Sequence, residues 1–260
     1  MAKPTPWNDE YTLLCEKCGY VVEGLDTAGP CPECGKPITE SLPERRVGTP
    51  WQQEPGVKSL VQTWWMTLRH PRMTLDCLRF DIDNDRGQAL ESIAFSALLA
   101  LAFSSLLCLT AIHDLVFTFG FFLLSTIPAI FLSLTLCMLT HIEASGIRIF
   151  GKSKKLRITR SSAMAIVNHG CVGWLILGLS IGFGMMMKAA AFNLEQNYDD
   201  YALADKYLLV GNIVMIIGAF TGFLFFEFFA YLGLRRCKYA NRIRPESDIT
   251  EPTQSDTRTT

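Results

Sequence analysis

An excess of either charge is absent from this 260-residue chain, in which 24 Lys and Arg stand against 25 Asp and Glu. A nucleic-acid binder normally shows a strongly basic domain, so nucleic acid is not an expected partner. The opening MAKPTPWNDE lacks the apolar core of a cleavable signal peptide, and what precedes the first apolar run is expected to stay in the cytoplasm. No HExxH, P-loop, GxSxG or Ser/His/Asp set stands where it could act, so the chain reads as a non-enzyme. Charge is scarcest between Ser92 and Leu234. Scattered apolar residues build a soluble core, whereas long uncharged runs call for lipid.

Four runs, 92–112, 115–139, 163–187 and 207–234, are each about long enough to cross roughly 30 Å of hydrocarbon. Only His113 and Asp114 separate the first two. One helix through both would be about 70 Å long, so a tight hairpin is expected there. The segment between the second and third runs holds Arg148, Lys152, Lys154, Lys155, Arg157 and Arg160 against Glu143 alone, and Arg235, Arg236 and Lys238 follow the fourth. The bias of Lys and Arg toward the cytoplasm then puts both termini and this basic segment inside. The fold class expected is an all-α membrane protein, a four-helix transmembrane bundle over 87–240 in the inner membrane, with the bilayer as its first partner.

The rest of the chain divides by composition. Residues 1–12 form a polar leader, 41–56 a Pro- and Gly-containing linker, and 241–260 a polar, Thr-rich tail expected to be disordered. Between linker and bundle, over 57–86, Leu60, Val61, Trp64, Trp65 and Leu68 recur at helical spacing, with Pro71 ending or kinking the helix. Paired tryptophans beside Lys and Arg suit the headgroup layer, and an ordinary helix packed on the bundle is the alternative.

The most specific motif lies in 13–40: Cys15 and Cys18, then twelve residues, then Cys31 and Cys34. Two CxxC pairs supply four thiolates from two knuckles, and Gly19 and Gly35 directly after each pair permit the tight turn that aims amides at sulfur. Four-sulfur tetrahedral coordination suits zinc, and a closed site of this kind is structural. About 28 residues cannot bury a sufficient core, so metal would supply most of the folding free energy. A reducing cytoplasm argues against disulfides. Iron is the alternative metal, because the knuckles also look like those of rubredoxin, although the loop between them is much shorter here.

Other constellations are weaker. Asp81, Asp83 and Asp85 imitate the start of a calcium loop, but the glycine falls one residue late at Gly87 and position twelve is Ser92. Inside the runs, His169 and Glu227 are the ionisable residues that would serve a transporter or channel component, the main rival reading. Gly178 with Gly182, and Gly218 with Gly222, place small residues four apart, which is expected to bring the third and fourth spans into close contact.

The stretches CEKCGY and CPECGK, then SLPERRVGTPWQ, then WWMTLRHPRMTLDCLRF running into GQALESIAFSALLA, together resemble bacterial membrane proteins of the Yip1-domain family fused to an N-terminal zinc ribbon. The resemblance covers most of 13–105 and, more loosely, the apolar remainder to about 240. It implies a multi-pass helical module. Eukaryotic relatives look like trafficking factors that bind small prenylated GTPases and help shape membranes. The chain departs from the pattern in showing four runs where the family usually has five. It brings no catalytic residues to carry over. The expected function is thus a zinc-ribbon membrane scaffold or adaptor that recruits a cytoplasmic protein, with self-association open. An iron-binding redox module anchored to the membrane is a further alternative.

Overall fold

The fold follows from long helices that must hide their backbone from lipid and from short polar segments that must find partners outside it. The computed structural model of the protein describes residues 11–80, 85–112, 115–198 and 200–243. Eight α-helices occur among them, in the order α1 (Pro50–Gln53), α2 (Val57–Arg69), α3 (Pro71–Cys77), α4 (Asp85–Ile112), α5 (Leu115–Ser153), α6 (Arg160–Gly170), α7 (Val172–Tyr198) and α8 (Tyr201–Arg236). The described residues contain no β-strand, only the isolated bridges Leu14–Val21 and Pro30–Pro37. The hairpin expected at His113 and Asp114, the aspartates at 81 and 83, and the tail from 244 onward lie outside the described residues.

Three stretches are long and apolar enough to cross a membrane: Thr126–Ser153, Arg160–Gln196 and Tyr201–Arg236. By length and composition they mark a helical membrane protein. The described apolar part of α4, Gly87–Leu101, falls short of a span by itself, although the helix continues to Ile112. Large apolar side chains such as Ile127, Phe131, Ile216 and Phe220 stand exposed on α5 and α8, as lipid-facing residues do.

Helix ends differ from the expected runs, because hydropathy locates a span while hydrogen bonding decides where a helix stops. α5 has 39 residues, about 58 Å at 1.5 Å per residue, so its end from Thr140 to Ser153 is helix and not the loop expected for 140–162. It ends where Lys155 takes a positive φ of 56°. The third run is two helices. At Cys171 the backbone N–H is shared between the carbonyls of Val167 (3.1 Å) and Asn168 (3.3 Å), tightening the turn before α7 begins. The caps are sequence-encoded: the Thr159 hydroxyl accepts from the Ser162 N–H (3.1 Å) and the Asp200 carboxylate from the Leu203 N–H (3.0 Å).

Trp174 sits where four helices meet. Its ring stacks on Phe226 of α8 with centroids 4.5 Å apart, its indole N–H donates to the Thr140 hydroxyl of α5 (3.2 Å), and its carbonyl accepts from Ser96 of α4 (2.7 Å). Around it Ile166, Val167, Cys171, Phe229, Leu75 and Leu78 close one core. The core therefore lies at the end of the bundle nearest α3 and α6, not at mid-length.

On α8 the contact with α7 uses both glycines the GxxxG spacing suggested, Gly218 and Gly222, whereas on α7 it uses Gly173 and Gly184. A Cβ on Gly173 would lie 2.5 Å from the Gly222 carbonyl and one on Gly222 would lie 2.6 Å from the Gly173 carbonyl, while Gly184 and Gly211 face each other in the same reciprocal way (2.8 and 2.9 Å). Gly218 meets Ser180, but Gly178 packs on Ser96 of α4. Gly178 and Gly173 are five residues apart and so cannot share a face at about 100° per residue. The motif thus serves two interfaces.

The segment 41–56, read as a linker from its prolines and glycines, is packed. Arg46, Thr49, Trp51 and Gln52 are buried, and Thr49 closes a capping box with Gln52 at the start of α1. Prolines here begin helical turns at Pro43 and Pro50, as Pro71 does at the start of α3. The apolar face of α2 is split: Leu60 and Trp64 pack against Trp51, Val172 and Leu175, whereas Val61, Trp65 and Leu68 remain exposed.

Candidate metal centre

The two knuckles are built alike. In the first, Cys15 N–H donates to the Tyr20 carbonyl (2.8 Å) and Gly19 N–H to the Cys15 carbonyl (2.8 Å); in the second, Cys31 N–H donates to Lys36 (2.7 Å) and Gly35 N–H to Cys31 (2.9 Å). Gly19 and Gly35 take φ of 81° and 69°, a left-handed backbone that Gly adopts at no steric cost. Gly19 has a second reason. A Cβ there would lie 2.8 Å from the Tyr239 ring, whereas one on Gly35 would meet nothing within 4 Å.

Folding brings the four sulfurs to one point. Cys15, Cys18, Cys31 and Cys34 offer Sγ atoms all within 4.8 Å of one another, with Cys15 to Cys34 at 3.5 Å and Cys18 to Cys31 at 3.7 Å. A tetrahedron with metal–sulfur bonds of about 2.3 Å has sulfur–sulfur edges of about 3.8 Å, so the set fits a four-thiolate metal ion. That geometry does not by itself separate zinc from iron. Burial pushes the Cys15 thiol up, but the amides of Cys18 and Lys17 and the thiols of Cys34 and Cys18 outweigh it and leave it at about 7. Burial, with the thiols around it, pushes Cys18 up instead.

The ribbon is fastened to the base of the bundle through its first knuckle. Glu16, between the first two ligands, receives a two-pronged ion pair from the buried Arg46, Nε to Oε1 at 2.9 Å and Nη2 to Oε2 at 3.0 Å. The remaining Nη1 of Arg46 donates to the carbonyls of Leu75 (2.9 Å) and Leu78 (3.2 Å) at the end of α3. Asn241, beyond α8, accepts from the Leu14 N–H (2.9 Å) and donates to the Leu14 carbonyl (2.7 Å) and the Ser41 carbonyl (2.5 Å). Arg157, between α5 and α6, donates to the carbonyls of Thr12 and Ala240 and to Asn241. Three separate parts of the chain thus hold residues 12–16.

None of these clamp residues was legible as such. Arg46 sat in the supposed linker, Arg157 counted as one more loop cation, and Asn241 fell in the tail. The only signal was a lone Glu between two metal-ligand cysteines and an Arg-Arg pair downstream. His169, considered for a transport role, is fully buried, with one ring nitrogen donating to the Ala165 carbonyl (2.9 Å) and the other accepting from the Thr49 hydroxyl (3.1 Å). Glu227 is partly exposed on α8. Cys77, Cys137, Cys171 and Cys237 are free thiols that join no cluster of three or more metal-ligating side chains among the described residues.

No family model matches the chain, and no curated protein or solved structure matches it.

Proposed function

We propose that this protein is a membrane scaffold of Yip1-like type, whose zinc ribbon stands as a fixed platform on the cytoplasmic face of a four-span inner-membrane bundle and holds a cytoplasmic protein there. The observation that carries the reading is the clamp from Arg46, Arg157 and Asn241 onto residues 12–16. A tethered ribbon would need none of these contacts. A platform needs all of them, because a buried Arg costs several kcal/mol unless paired and hydrogen-bonded. Tyr20 and Leu25 stand exposed on the ribbon and offer the partner an aromatic and an aliphatic anchor. Zinc fills a structural role, and the chain carries out no catalysis.

The transporter reading has less behind it. His169 spends both ring nitrogens on Ala165 and Thr49, which leaves Glu227 with only Glu143 of α5, a group of like charge, in electrostatic reach.

The test compares two variants of the full chain for co-purifying proteins. Tyr20→Ala with Leu25→Ala keeps the clamp and the metal and is expected to lose the partner. Arg46→Gln is expected to lose the partner together with thermal stability. An unchanged set of bound proteins in the first variant would refute the platform reading. Cysteine labelling of position 155 from the cytoplasmic side and position 200 from the other checks the topology. Labelling of both from one side would sink it.

A further inference from the structure

The ribbon end of the molecule also carries features that a protein platform does not use. We infer that it is a binding surface for anionic phospholipid headgroups, formed by the lateral helix α2 and a cationic ledge at the end of α5. This rests on the reading above that the long helices lie in a bilayer.

The first observation is the unfilled half of α2. Leu60, Thr63, Trp64 and Thr67 are buried on the bundle, with the Trp64 indole N–H donating to Ser92 of α4 (2.8 Å). Beside them Val57, Val61, Trp65 and Leu68 are 80%, 51%, 61% and 39% exposed. At about 100° per residue these four fill an arc of roughly 80°, between the packed arc and the polar one that bears Lys58, Gln62 and Arg69. A helix packed only on protein has no use for that middle arc. One lying in the headgroup layer beside its own bundle needs all three.

The second observation is a repeated pair. Trp65 and Arg69 on α2, Phe150 and Lys154 at the end of α5, and Tyr231 and Arg235 on α8 each set a cation over an aromatic ring four residues earlier, at 5.3, 5.8 and 5.8 Å from the ring centre. All three lie at one end of the molecule. Arg236 next to the third pair ties to Asp76 of α3 (2.7 Å), and Arg157 just after the second ties to Ala240 just after α8 (2.9 Å). Rings at the apolar boundary with cations one turn further out match the layering of a leaflet, from acyl chain to phosphate.

Charge supplies the third observation. The other buried or paired cations at this end are taken: Arg46 by Glu16, Arg157 by carbonyls, Arg236 by Asp76. Arg148, Lys152, Lys154, Lys155 and Arg160 are exposed, and among the described residues no carboxylate pairs with any of them. Five cations without a carboxylate partner, beside exposed Ile149 and Phe150, fit phosphate above acyl chain. An acidic protein or nucleic acid would satisfy the charge but leave the apolar stripe of α2 in water.

The full chain, reconstituted in phosphatidylcholine vesicles doped with brominated phosphatidylcholine or brominated phosphatidylglycerol, tests this. Trp65 is the one strongly exposed tryptophan among the described residues, so bromine quenching reports lipid at this surface. We expect the brominated anionic lipid to quench more at equal mole fraction, and added salt to weaken the preference. Lys152→Gln, Lys154→Gln and Lys155→Gln together should lower the preference by at least on the order of fivefold, since each interfacial cation contributes about that factor. Trp65→Phe should remove most of the lipid-dependent quenching. Equal quenching by the two lipids, or an unaltered preference in the triple variant, would overturn the proposal. So would loss of the preference on adding soluble glycerol phosphate or an acidic peptide, either of which would identify a different ligand. A carbonate wash separates the failures: a chain stripped from the vesicles refutes the bilayer reading itself, whereas one that stays inserted and quenches equally refutes only the lipid surface.

Discussion

Substituting Ala for Gly222 adds a single methyl group where the backbones of α7 and α8 approach closely. Its Cβ would lie 2.6 Å from the Gly173 carbonyl oxygen and 3.2 Å from the Leu177 nitrogen. Ordinary contact begins near 3.4 Å, so α7 and α8 must move apart by a little under 1 Å or the backbone must bend. Overpacking of this kind costs about 1–3 kcal/mol, and the loss of close backbone contact along the pair adds to it, because lipid offers no hydrophobic gain to compensate. The higher helix propensity of Ala returns about 1 kcal/mol. We expect a net loss of about 1–2 kcal/mol by reversible unfolding in detergent. Gly173→Ala should cost a similar amount, and the double variant less than the sum, since separation forced by one methyl makes room for the other. Gly146→Ala is the control: its Cβ meets nothing within 4 Å, so only the propensity gain of up to about 1 kcal/mol remains. If Gly222→Ala is as stable as Gly146→Ala, or if the two tight substitutions add in full, the reciprocal packing of α7 on α8 is wrong.

Metal analysis of the purified full chain should give one zinc per molecule, and Cys31→Ser should lower metal content and thermal stability together; a coloured, iron-loaded protein would reverse the metal assignment. Gly19→Ala should destabilise the ribbon more than Gly35→Ala, because both lose the left-handed turn but only Gly19 also faces the Tyr239 ring; equal losses would show that Tyr239 yields freely. Burial pushes the Cys77 thiol up to about 11 and Cys237 up to about 12, from 9.0. Burial favours the neutral thiol, so their contribution is complete below about pH 9 and is lost as pH rises through 11 to 12. At pH 8 both should alkylate far more slowly than a peptide thiol, and rates equal to the peptide's would contradict the buried sites.

The sequence by itself determined whatever depends on spacing along the chain. Four cysteines in two CxxC pairs define a metal site wherever the chain places it, because each knuckle is a local turn closed by its own amides. Apolar runs locate long helices because backbone in lipid has no other partner. The packing of α7 on α8 was half legible. The four-residue motif marked Gly218 and Gly222 on α8, but Gly173 with Gly184 and Gly211 with Gly222 stand eleven residues apart, three turns on one face, a spacing that motif does not show. What only the tertiary structure decided is where polar side chains go. Arg46, Arg157 and Asn241 look like solvent-exposed residues in linker, loop and tail. Their burial follows from carbonyls and a carboxylate that come from Thr12, Leu14, Glu16, Leu75 and Ala240, residues distant in sequence that meet only when the ends of α3, α5 and α8 converge. A hydrogen bond depends on position to a fraction of an ångström, and linear spacing fixes such positions only within a turn or two. The ribbon was therefore readable as a site, and its clamping to the bundle was not.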